Sequence, residues 1–452
     1  MNKAKTDVLI VGSGVAGLYC ALHIPEEKNV TIITKARLEE CDSYLAQGGI
    51  CVLKDDGDYK AWYGDTLHAG HYENNPQAVD LMIRSSQSII SDLAGYGVRF
   101  AVDEFGKYKF TREGAHSTAR ILYHEDIIGK EITSHLLDEV KKRPNITLHE
   151  NITMLDILIG QYPDGSDCCR GIIATCEPGT PLALYAEAMT NNGKCLFPFE
   201  ATEVVWACGG IGGLFPHTTN YPHLTGDALG IALAHGIPLQ DPDYIQFHPT
   251  ALYSPKPGRA FLISESVRGE GGILLDKNGN RFTDELQPRD KLTEAIKKQM
   301  QKDGTDYVWL SMEKISPYEV KTHFKNIYQH CKDLGYDCTQ EAIPVVPAQH
   351  YFMGGVYVDM NSLTSLKALY AIGETSCNGV HGRNRLASNS LIETLVFSRR
   401  AAQHISKQLY GEGTVPVKTW PVDYTHYKDT AALFADYKFK INMEIERFRR
   451  QR

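Results

Sequence analysis

A glycine-rich turn close to the N-terminus places the strongest constraint on the fold. Residues 8–11 form a short apolar run, and residues 12–17 follow it as GSGVAG. Residues 16–23 have the apolar character of a buried helix, and residues 30–34 form a second apolar run. This order of strand, tight turn, helix and strand predicts a βαβ unit with a parallel sheet and a right-handed crossover.

The glycines of this turn fit the GxGxxG pattern of a dinucleotide site. Gly12 permits the tight turn, Gly14 lets the backbone approach a pyrophosphate, and Gly17 lets the helix pack closely on the strand. Free N–H groups at the start of the helix favour a phosphate there. The acid that usually holds an adenine-ribose hydroxyl is absent, since Thr34 and Lys35 end the second strand. The turn by itself therefore leaves both FAD and NADP open.

Two later strand ends favour FAD. Residues 203–207 run into Gly209 and Gly210, which predicts a second close approach of the backbone to the cofactor. Residues 369–372 end just before Glu374, whose carboxylate can accept hydrogen bonds from ribityl or ribose hydroxyls. Glu374 alone could equally be an ordinary carboxylate at a helix start. Three strand-to-glycine elements together fit a long dinucleotide that crosses the edge of the sheet.

The chain of 452 residues is too long for one core, and its patterns change along its length. We predict an α/β fold with a discontinuous Rossmann-like FAD-binding domain, an inserted α+β capping domain and a short helical C-terminal tail. Strands are expected at 146–159, 171–176 and 203–207, helices at 77–99 and 124–142, and a loop or hairpin excursion at 177–200. The predicted parts are residues 1–239 and 346–405 for the FAD-binding domain, 240–345 for the capping and substrate domain, and 406–452 for the tail.

Composition narrows the class of protein. The net charge of −8 argues against a nucleic-acid-binding surface, and no apolar run reaches the ~20 residues of a membrane span. The N-terminus has no signal-peptide layout, so a cytoplasmic protein is expected. The eleven cysteines contain no CxxC pair, which favours reduced thiols over disulfides or a metal site. Cys168 and Cys169 are expected in a polar loop.

Six further segments carry a family resemblance. They read SYLAQGGI, HPTAL, SVRGEGG, PRD, QHYFMGG and HGRNRLASNSLIE, in that order along the chain. With the elements above, they make the chain similar to the succinate dehydrogenase/fumarate reductase flavoprotein superfamily over roughly residues 5–405. The resemblance implies FAD as the cofactor. It implies cofactor contacts from Gly12, Ser13, Gly14, Val15, Ala16, Gly17, Lys35, Asp42, Ser43, Tyr44, Ala46, Gln47, Gly48, Gly49, Gly209, Gly210, Asp227, Glu374, Ser388, Asn389, Ser390 and Leu391.

Within that superfamily the sequence most resembles the branch that oxidises L-aspartate. Respiratory members attach FAD through a histidine, and Asp42 stands at that position, so the flavin should be held without a covalent bond. The LASNSL segment also matches this branch, because respiratory enzymes usually carry two small residues before the asparagine. Glu113 matches the residue that meets the substrate ammonium, and succinate has no amine to meet it.

The resemblance also implies a clamp for a substrate with two carboxylates. Arg289 and Arg385 match the two substrate arginines, and the planar guanidinium fork suits a carboxylate. His248 and His350 match the substrate histidines. Taken singly, His248 could cap a turn, His350 could be a core histidine and Arg289 could pair with its neighbour Asp290. The same pattern adds Gln246 and Ser264 to the pocket and leaves out Arg383, which lies two residues before Arg385.

These residues predict the reaction. L-aspartate would bind through its carboxylates with its α-ammonium at Glu113, so that its Cα–H faces flavin N5, and a hydride transfer would give iminoaspartate. Arg289 matches the family's acid/base arginine, although a guanidinium almost never loses its proton. Reduced flavin would be reoxidised by O2 or fumarate. The implied role is the first step of NAD biosynthesis, with a functional link to quinolinate synthase. A soluble fumarate reductase and a non-catalytic flavin-binding protein remain the alternatives.

Overall fold

The computed structural model describes residues 4–256, 258–410 and 418–452. Within these ranges the chain alternates between strands and helices and builds two main sheets. The strands are β1 (Ala4–Val11), β2 (Val30–Ile33), β3 (Ile50–Cys51), β4 (Ile121–Leu122), β5 (Ile146–His149), β6 (Thr153–Gln161), β7 (Asp167–Cys176), β8 (Ala188–Met189), β9 (Cys195–Trp206), β10 (His217–Thr218), β11 (Leu239–Gln240), β12 (Ile245–Leu252), β13 (Gly258–Arg259), β14 (Ile273–Leu275), β15 (Val308–Ser311), β16 (Ile343–Phe352), β17 (Gly355–Tyr357), β18 (Leu369–Ala371), β19 (Ser376–Cys377) and β20 (Lys418–Thr419).

The helices lie between and around these strands. They are α1 (Val15–Leu22), α2 (Asp42–Leu45), α3 (Tyr59–Ala69), α4 (Pro76–Gly95), α5 (Ile128–Lys142), α6 (Asp227–Ala234), α7 (Glu265–Gly269), α8 (Arg289–Asp303), α9 (Pro317–Thr322), α10 (Lys325–Asp333), α11 (Asn389–Tyr410) and α12 (Thr430–Gln451). None of the helices in the described part of the chain is long and apolar enough to cross a membrane.

The first sheet confirms the predicted βαβ unit. Its strand order is β20-β6-β7-β9-β1-β2-β5, and β1 pairs in parallel with both β2 and β9. Val8 and Ile10 of β1 face one apolar core, whereas Leu9 and Val11 face another. This alternation arises because successive side chains of a strand point to opposite faces, and helices cover both faces of this sheet.

The late strand β18 returns to this first sheet, as the sequence predicted. It pairs in parallel with β9, with Leu369 opposite Val204 and Ala371 opposite Trp206. The carboxyl ends of β1, β9 and β18 therefore meet at one edge, where Gly12, Gly209 and Glu374 follow. A binding site is expected outside the carboxyl ends of parallel strands.

A second sheet stands beside the first. Its order is β13-β10-β16-β15-β14, with β12 paired to β16, and α8, α9 and α10 pack on its core. The sheet draws on residues 217–352, because β10 lies before residue 240 and β16 runs on to Phe352. The domain bounds given above stay a prediction. One strand of the second sheet lies before the predicted start at residue 240, and another runs past the predicted end at residue 345.

The C-terminal helix is docked, as its periodicity predicted. Leu433, Tyr437, Ile441 and Ile445 of α12 are buried at a spacing of four residues. The Tyr437 hydroxyl donates to the Leu155 carbonyl at 2.9 Å, and a Cβ on residue 230 would lie 2.4 Å from the Tyr437 Cβ. Glycine at position 230 therefore allows α12 to rest directly on α6, the helix that begins at the candidate site.

Two local predictions were wrong. Cys168 and Cys169 do not lie in a polar loop; both are buried in β7. The strand extends further than predicted because residues 162–166 form its tight turn with β6, and Asp167 already pairs with Gln161. The predicted excursion at 177–200 also ends early, since β9 begins at Cys195.

Candidate active site

A single cavity joins the glycine turn of the first sheet to the second sheet. Its volume is about 330 Å³, and its lining includes Gly12 and Gly14 at one end and Arg289 and Arg385 at the other. Most of the predicted cofactor contacts line it, namely Gly12, Ser13, Gly14, Ala16, Lys35, Asp42, Ser43, Ala46, Gln47, Gly48, Gly49, Gly209, Asp227, Glu374, Ser388, Ser390 and Leu391. The structure thus brings together residues that are up to 379 positions apart in the chain.

Five of the predicted cofactor contacts lie outside the lining: Val15, Gly17, Tyr44, Gly210 and Asn389. Asn389 faces α3, where its Oδ1 accepts from Trp62 Nε1 at 2.9 Å and its Nδ2 donates to Thr66 Oγ1 at 3.1 Å. Gly17 acts in packing, since a Cβ there would lie 2.1 Å from the Gly12 carbonyl oxygen. Asn389 and Gly17 therefore have structural contacts behind the cavity lining.

The glycine-turn end of the cavity has the chemistry of a dinucleotide site. Gly14 caps helix α1 and offers no side chain to its first turn, where the Val15 N–H donates to Ser43 Oγ at 3.2 Å and the next N–H groups suit a phosphate. Lys35 donates to Asp227 Oδ2 at 2.7 Å and to Thr225 Oγ1 at 3.0 Å. Lysine at the end of β2 is thus neutralised by an acid at the start of α6, and both side chains line the cavity.

Two half-buried carboxyl groups, Asp42 and Glu374, line the cavity. Asp42 accepts from the Tyr221 backbone N–H at 2.9 Å, and Glu374 accepts from the Phe352 N–H at 2.8 Å. Burial raises the pKa of Asp42 to about 7 and that of Glu374 to about 8. Gln47 Oε1 is buried there without a hydrogen-bond partner among the described residues. These three acceptors in the cavity lining fit a ligand that carries several hydroxyl groups, as the ribityl chain of FAD does.

The two predicted substrate arginines lie side by side at the far end. Arg289 Nη1 and Arg385 Nε both donate to Gln246 Oε1, at 2.9 Å and 3.3 Å. Arg385 also donates to Ser390 Oγ at 2.5 Å and lies over the Tyr351 ring, 4.3 Å from its centroid. Gln246 itself does not line the cavity. It therefore spaces the two guanidinium groups from behind, and its direct contact with substrate stays a prediction.

Arg383 and Arg385 are two residues apart in sequence but differ strongly in solvent exposure. Arg385 is only 5% exposed and lines the cavity, whereas the Arg383 side chain is 58% exposed and lies 3.9 Å from Glu73. Burial lowers the pKa of Arg385 to about 10, with Arg289 acting in the same direction. The guanidinium still carries its charge at neutral pH, so the cavity offers a desolvated cation that Arg383 cannot.

The predicted histidines stand opposite each other in the same wall. The rings of His248 and His350 are 5.1 Å apart. Burial lowers both pKa values well below the usual range, and nearby arginines act in the same direction, so both rings are neutral at pH 7. His248 Nδ1 lies 3.2 Å from both the N–H and the carbonyl oxygen of Thr250. His248 Nε2 has no partner among the described residues, which leaves it open to a ligand in the cavity.

Glu113 lines the same cavity as the two arginines. It is 2% exposed, and it accepts from Ser266 Oγ at 2.8 Å and from Ser388 Oγ at 2.5 Å. Burial and the neighbouring Glu265 raise its pKa above the usual range. Gly48 permits this position, because a Cβ there would lie 2.4 Å from Glu113 Oε1. Ser264, another predicted pocket residue, lines the cavity next to it.

Sequence reasoning missed the acid that holds Arg289. Arg289 Nε donates to Glu265 Oε2 at 2.5 Å, and Arg268 Nη2 lies 3.4 Å from the same oxygen. Burial opposes ionisation of Glu265, but Arg289 and Arg268 outweigh it and lower its pKa. Glu265 immediately precedes the SVRGEGG segment and lies one helical turn before Arg268, and this spacing of opposite charges was the available signal.

Comparison with known proteins agrees with this geometry. A family model described as FAD binding domain matches residues 7–391. The variant of E. coli quinol fumarate reductase FrdA superposes with a TM-score of 0.81 at 28% identity, covering 96% of this chain and 74% of that chain. The fold and the cavity therefore define a flavoprotein that binds FAD, and the predicted α/β fold and cofactor are confirmed.

The curated relatives narrow this class. L-aspartate oxidase of Clostridium acetobutylicum is 46% identical over 406 residues, which are 90% of this chain and 89% of that protein. L-aspartate oxidase of Clostridium perfringens is 46% identical over 408 residues, 90% of this chain and 88% of that protein. The chain belongs to the L-aspartate oxidase family.

Proposed function

We propose that the chain catalyses the FAD-dependent oxidation of L-aspartate to iminoaspartate, the first step of NAD biosynthesis. The observation that carries the proposal is the meeting of three groups in one cavity. Arg289 and Arg385 supply two buried cations, and Glu113 supplies a carboxylate within the same lining. L-aspartate carries two carboxylates and one ammonium, which these three groups can receive, while the further acid in the lining, Glu265, is paired with Arg289 and Arg268.

FAD would occupy the long arm of the cavity. Its phosphates would lie at the N-terminus of α1, and its hydroxyl groups would donate to Asp42, Glu374 and Gln47. When bound, FAD accepts the hydride that leaves the substrate Cα. Asp42 stands where a covalent attachment would need a histidine, and a carboxylate cannot form that bond. We therefore propose non-covalent binding.

The carboxylates of the substrate would be held by two kinds of donor. Arg289 and Arg385 contribute charged forks, and neutral His248 and His350 contribute uncharged N–H donors at the same wall. The salt bridge of Arg289 with Glu265 fixes the guanidinium and leaves its outer N–H groups for the substrate. Because these side chains are buried, they need little rearrangement when the dianion arrives.

Glu113 would orient the amine and receive its proton. The C–H bond can break with loss of hydride only as the ammonium becomes neutral, since the product carries a C=N bond. A carboxylate with a raised pKa is a stronger base than an exposed glutamate. Holding the amine at Glu113 and the carboxylates at the arginines also fixes the Cα–H direction, a proximity effect that can supply roughly 7–11 kcal/mol.

The alternative is a soluble fumarate reductase. The similarity to E. coli quinol fumarate reductase FrdA lends it support. Fumarate and succinate carry no amine, however, and an ionised Glu113 inside the pocket would repel either dianion. Fumarate fits the same arginine clamp as an oxidant, so we propose that O2 or fumarate reoxidises the enzyme. We further propose a cytoplasmic enzyme whose product is used by quinolinate synthase.

The decisive experiment is substrate bleaching of the flavin under anaerobic conditions. The holoenzyme is mixed separately with L-aspartate, L-glutamate and succinate, and flavin absorbance near its visible maximum is followed. We expect bleaching by L-aspartate, little by the longer L-glutamate, and none by succinate. Bleaching by succinate with no response to L-aspartate would overturn the proposal in favour of the alternative.

A further inference from the structure

The surroundings of Glu113 contain a pair of serines that the reaction itself does not use. Ser266 Oγ donates to Glu113 Oε1 at 2.8 Å, and Ser388 Oγ donates to Oε2 at 2.5 Å. The two serines come from α7 and from the turn before α11, which are more than a hundred residues apart in sequence. Each oxygen of the carboxylate thus receives one hydroxyl, and the plane of the carboxylate is fixed from both sides.

The charges around Glu113 make these hydroxyls important for its ionisation. Burial and Glu265 of α7 raise its pKa, whereas the Ser388 hydroxyl, Arg289 of α8 and the Ser266 hydroxyl lower it. Arg268 of α7 and the buried Cys51 thiol of β3 also face it. Arg289, which is bound to Glu265 at 2.5 Å, lowers the Glu113 pKa through its charge without a hydrogen bond to the Glu113 carboxylate. Direct hydrogen bonds to the carboxylate come from the two serines.

A third hydroxyl directs the proton of Ser266. Ser264 Oγ donates to Ser266 Oγ at 3.3 Å. Because that bond occupies an acceptor site on Ser266, the remaining Ser266 proton is directed to Glu113. The order Ser264, Ser266, Glu113 is therefore a chain of hydroxyl donors that ends on the carboxylate. A carboxylate oxygen has about two acceptor sites, so each oxygen of Glu113 keeps one for an arriving ammonium.

We propose that Ser266 is a positioning residue for Glu113, and that its hydroxyl tunes the preference of the cavity for an amino dicarboxylate over a plain dicarboxylate. The role given to Glu113 rests on the proposed function. Ser266 touches neither substrate nor cofactor in this scheme. It acts by keeping Glu113 charged and aimed, which favours a cationic amine and disfavours a second dianion.

The opposite charge requirements of the two ligands provide the test. L-aspartate needs ionised Glu113, so the rate constant kcat/KM should fall as pH drops below the Glu113 pKa. Succinate prefers protonated Glu113, so its affinity should fall as pH rises through the same pKa. Loss of the Ser266 hydroxyl removes a hydrogen bond that favours the charged form, and this raises the Glu113 pKa.

The experiment compares the holoenzyme with S266A and S266T. Succinate Kd is measured from pH 5 to 9 by perturbation of the flavin spectrum, and kcat/KM for L-aspartate is measured over the same range. Each of the two pH profiles should change direction at the Glu113 pKa. In S266A we expect this pH to rise by about one unit in both profiles, which is the size of one lost hydrogen bond to a charged group. Above both pKa values, S266A should bind succinate about tenfold more tightly than the wild type, and below both pKa values it should react with L-aspartate about tenfold more slowly. S266T keeps the hydroxyl and should return the pH of this change toward the wild type in both profiles.

The outcomes separate this inference from the proposed function. The inference is overturned if succinate affinity falls at the same pH in S266A as in the wild type. It is also overturned if S266A loses succinate affinity and L-aspartate turnover to the same extent, which would indicate only structural damage. Failure of the wild type to oxidise L-aspartate overturns the proposed function. In that case the pH dependence of the succinate Kd still tests the coupling of Ser266 to Glu113, because measuring Kd requires no turnover.

Discussion

The substitution Arg385→Leu tests the electrostatic basis of substrate binding most directly. Arg385 is buried, carries its charge at neutral pH and lies in the cavity with Arg289. Leucine fills much of the same space without charge or donors. We expect the variant to keep FAD, because the hydrogen bonds of Arg385 go to Gln246 and Ser390 and not to the glycine turn or Asp42. It should lose affinity for dicarboxylates.

The size of the loss follows from the surroundings of the guanidinium. Removing one partner of a buried, hydrogen-bonded charge pair costs about 2–5 kcal/mol. Two features reduce the loss here: Arg289 remains in place, and its repulsion with Arg385 is relieved. We therefore expect about 2–4 kcal/mol, which corresponds to a Kd for succinate raised roughly 30- to 1000-fold.

The assay is a succinate titration of the flavin spectrum, with Arg383→Leu as the matched control. Arg383 is two residues away and has a 58% exposed side chain, so its loss should change Kd by less than about threefold. The reasoning is refuted if Arg385→Leu binds succinate as the wild type does, or if both variants lose affinity equally. A colourless Arg385→Leu protein would show that this arginine supports the cofactor.

Three further predictions concern single groups. Glu113→Gln should lower kcat/KM for L-aspartate by about 100-fold, measured by steady-state kinetics, while succinate affinity, measured by titration, stays equal or rises. Unchanged aspartate turnover would contradict the role of Glu113. Gly48→Ala should have a similar but weaker selective effect, because its Cβ would meet Glu113 Oε1 at 2.4 Å, and equal losses for both ligands would argue against that cause. Burial raises the pKa of Glu203 in β9 to about 8. As pH rises above about 4.3, the unfolded chain loses the Glu203 proton while the folded chain keeps it, so the free energy of unfolding falls by up to about 5 kcal/mol by pH 8. Glu203→Gln should therefore raise the melting temperature more at pH 8.5 than at pH 5, and a larger gain at pH 5 would show the sign to be wrong.

Much of the fold could be predicted because its signals are local. The strand, the GSGVAG turn and the helix of the first βαβ unit are set by apolar runs and by glycines that lie within residues 8–34. Helix α12 was likewise visible in its four-residue spacing of buried side chains. The errors at Cys168 and Cys169 have the opposite origin. Two cysteines between polar residues carry no local signal of burial, and pairing of β7 with β6 and β9 decided their place.

For the site, the sequence by itself determined which residue types were present and in what order. It led to Arg289, Arg385, His248, His350 and Glu113, and to the choice of Arg385 over Arg383. Only the tertiary structure decided what each group contacts and whether it is charged. Burial makes both histidines neutral, and it turns Glu265 into the partner of Arg289. The tertiary structure also places Gln246 behind the two arginines and turns Asn389 toward α3. The physical reason is that desolvation and hydrogen bonding depend on side chains from distant parts of the chain, and no local pattern encodes those distances.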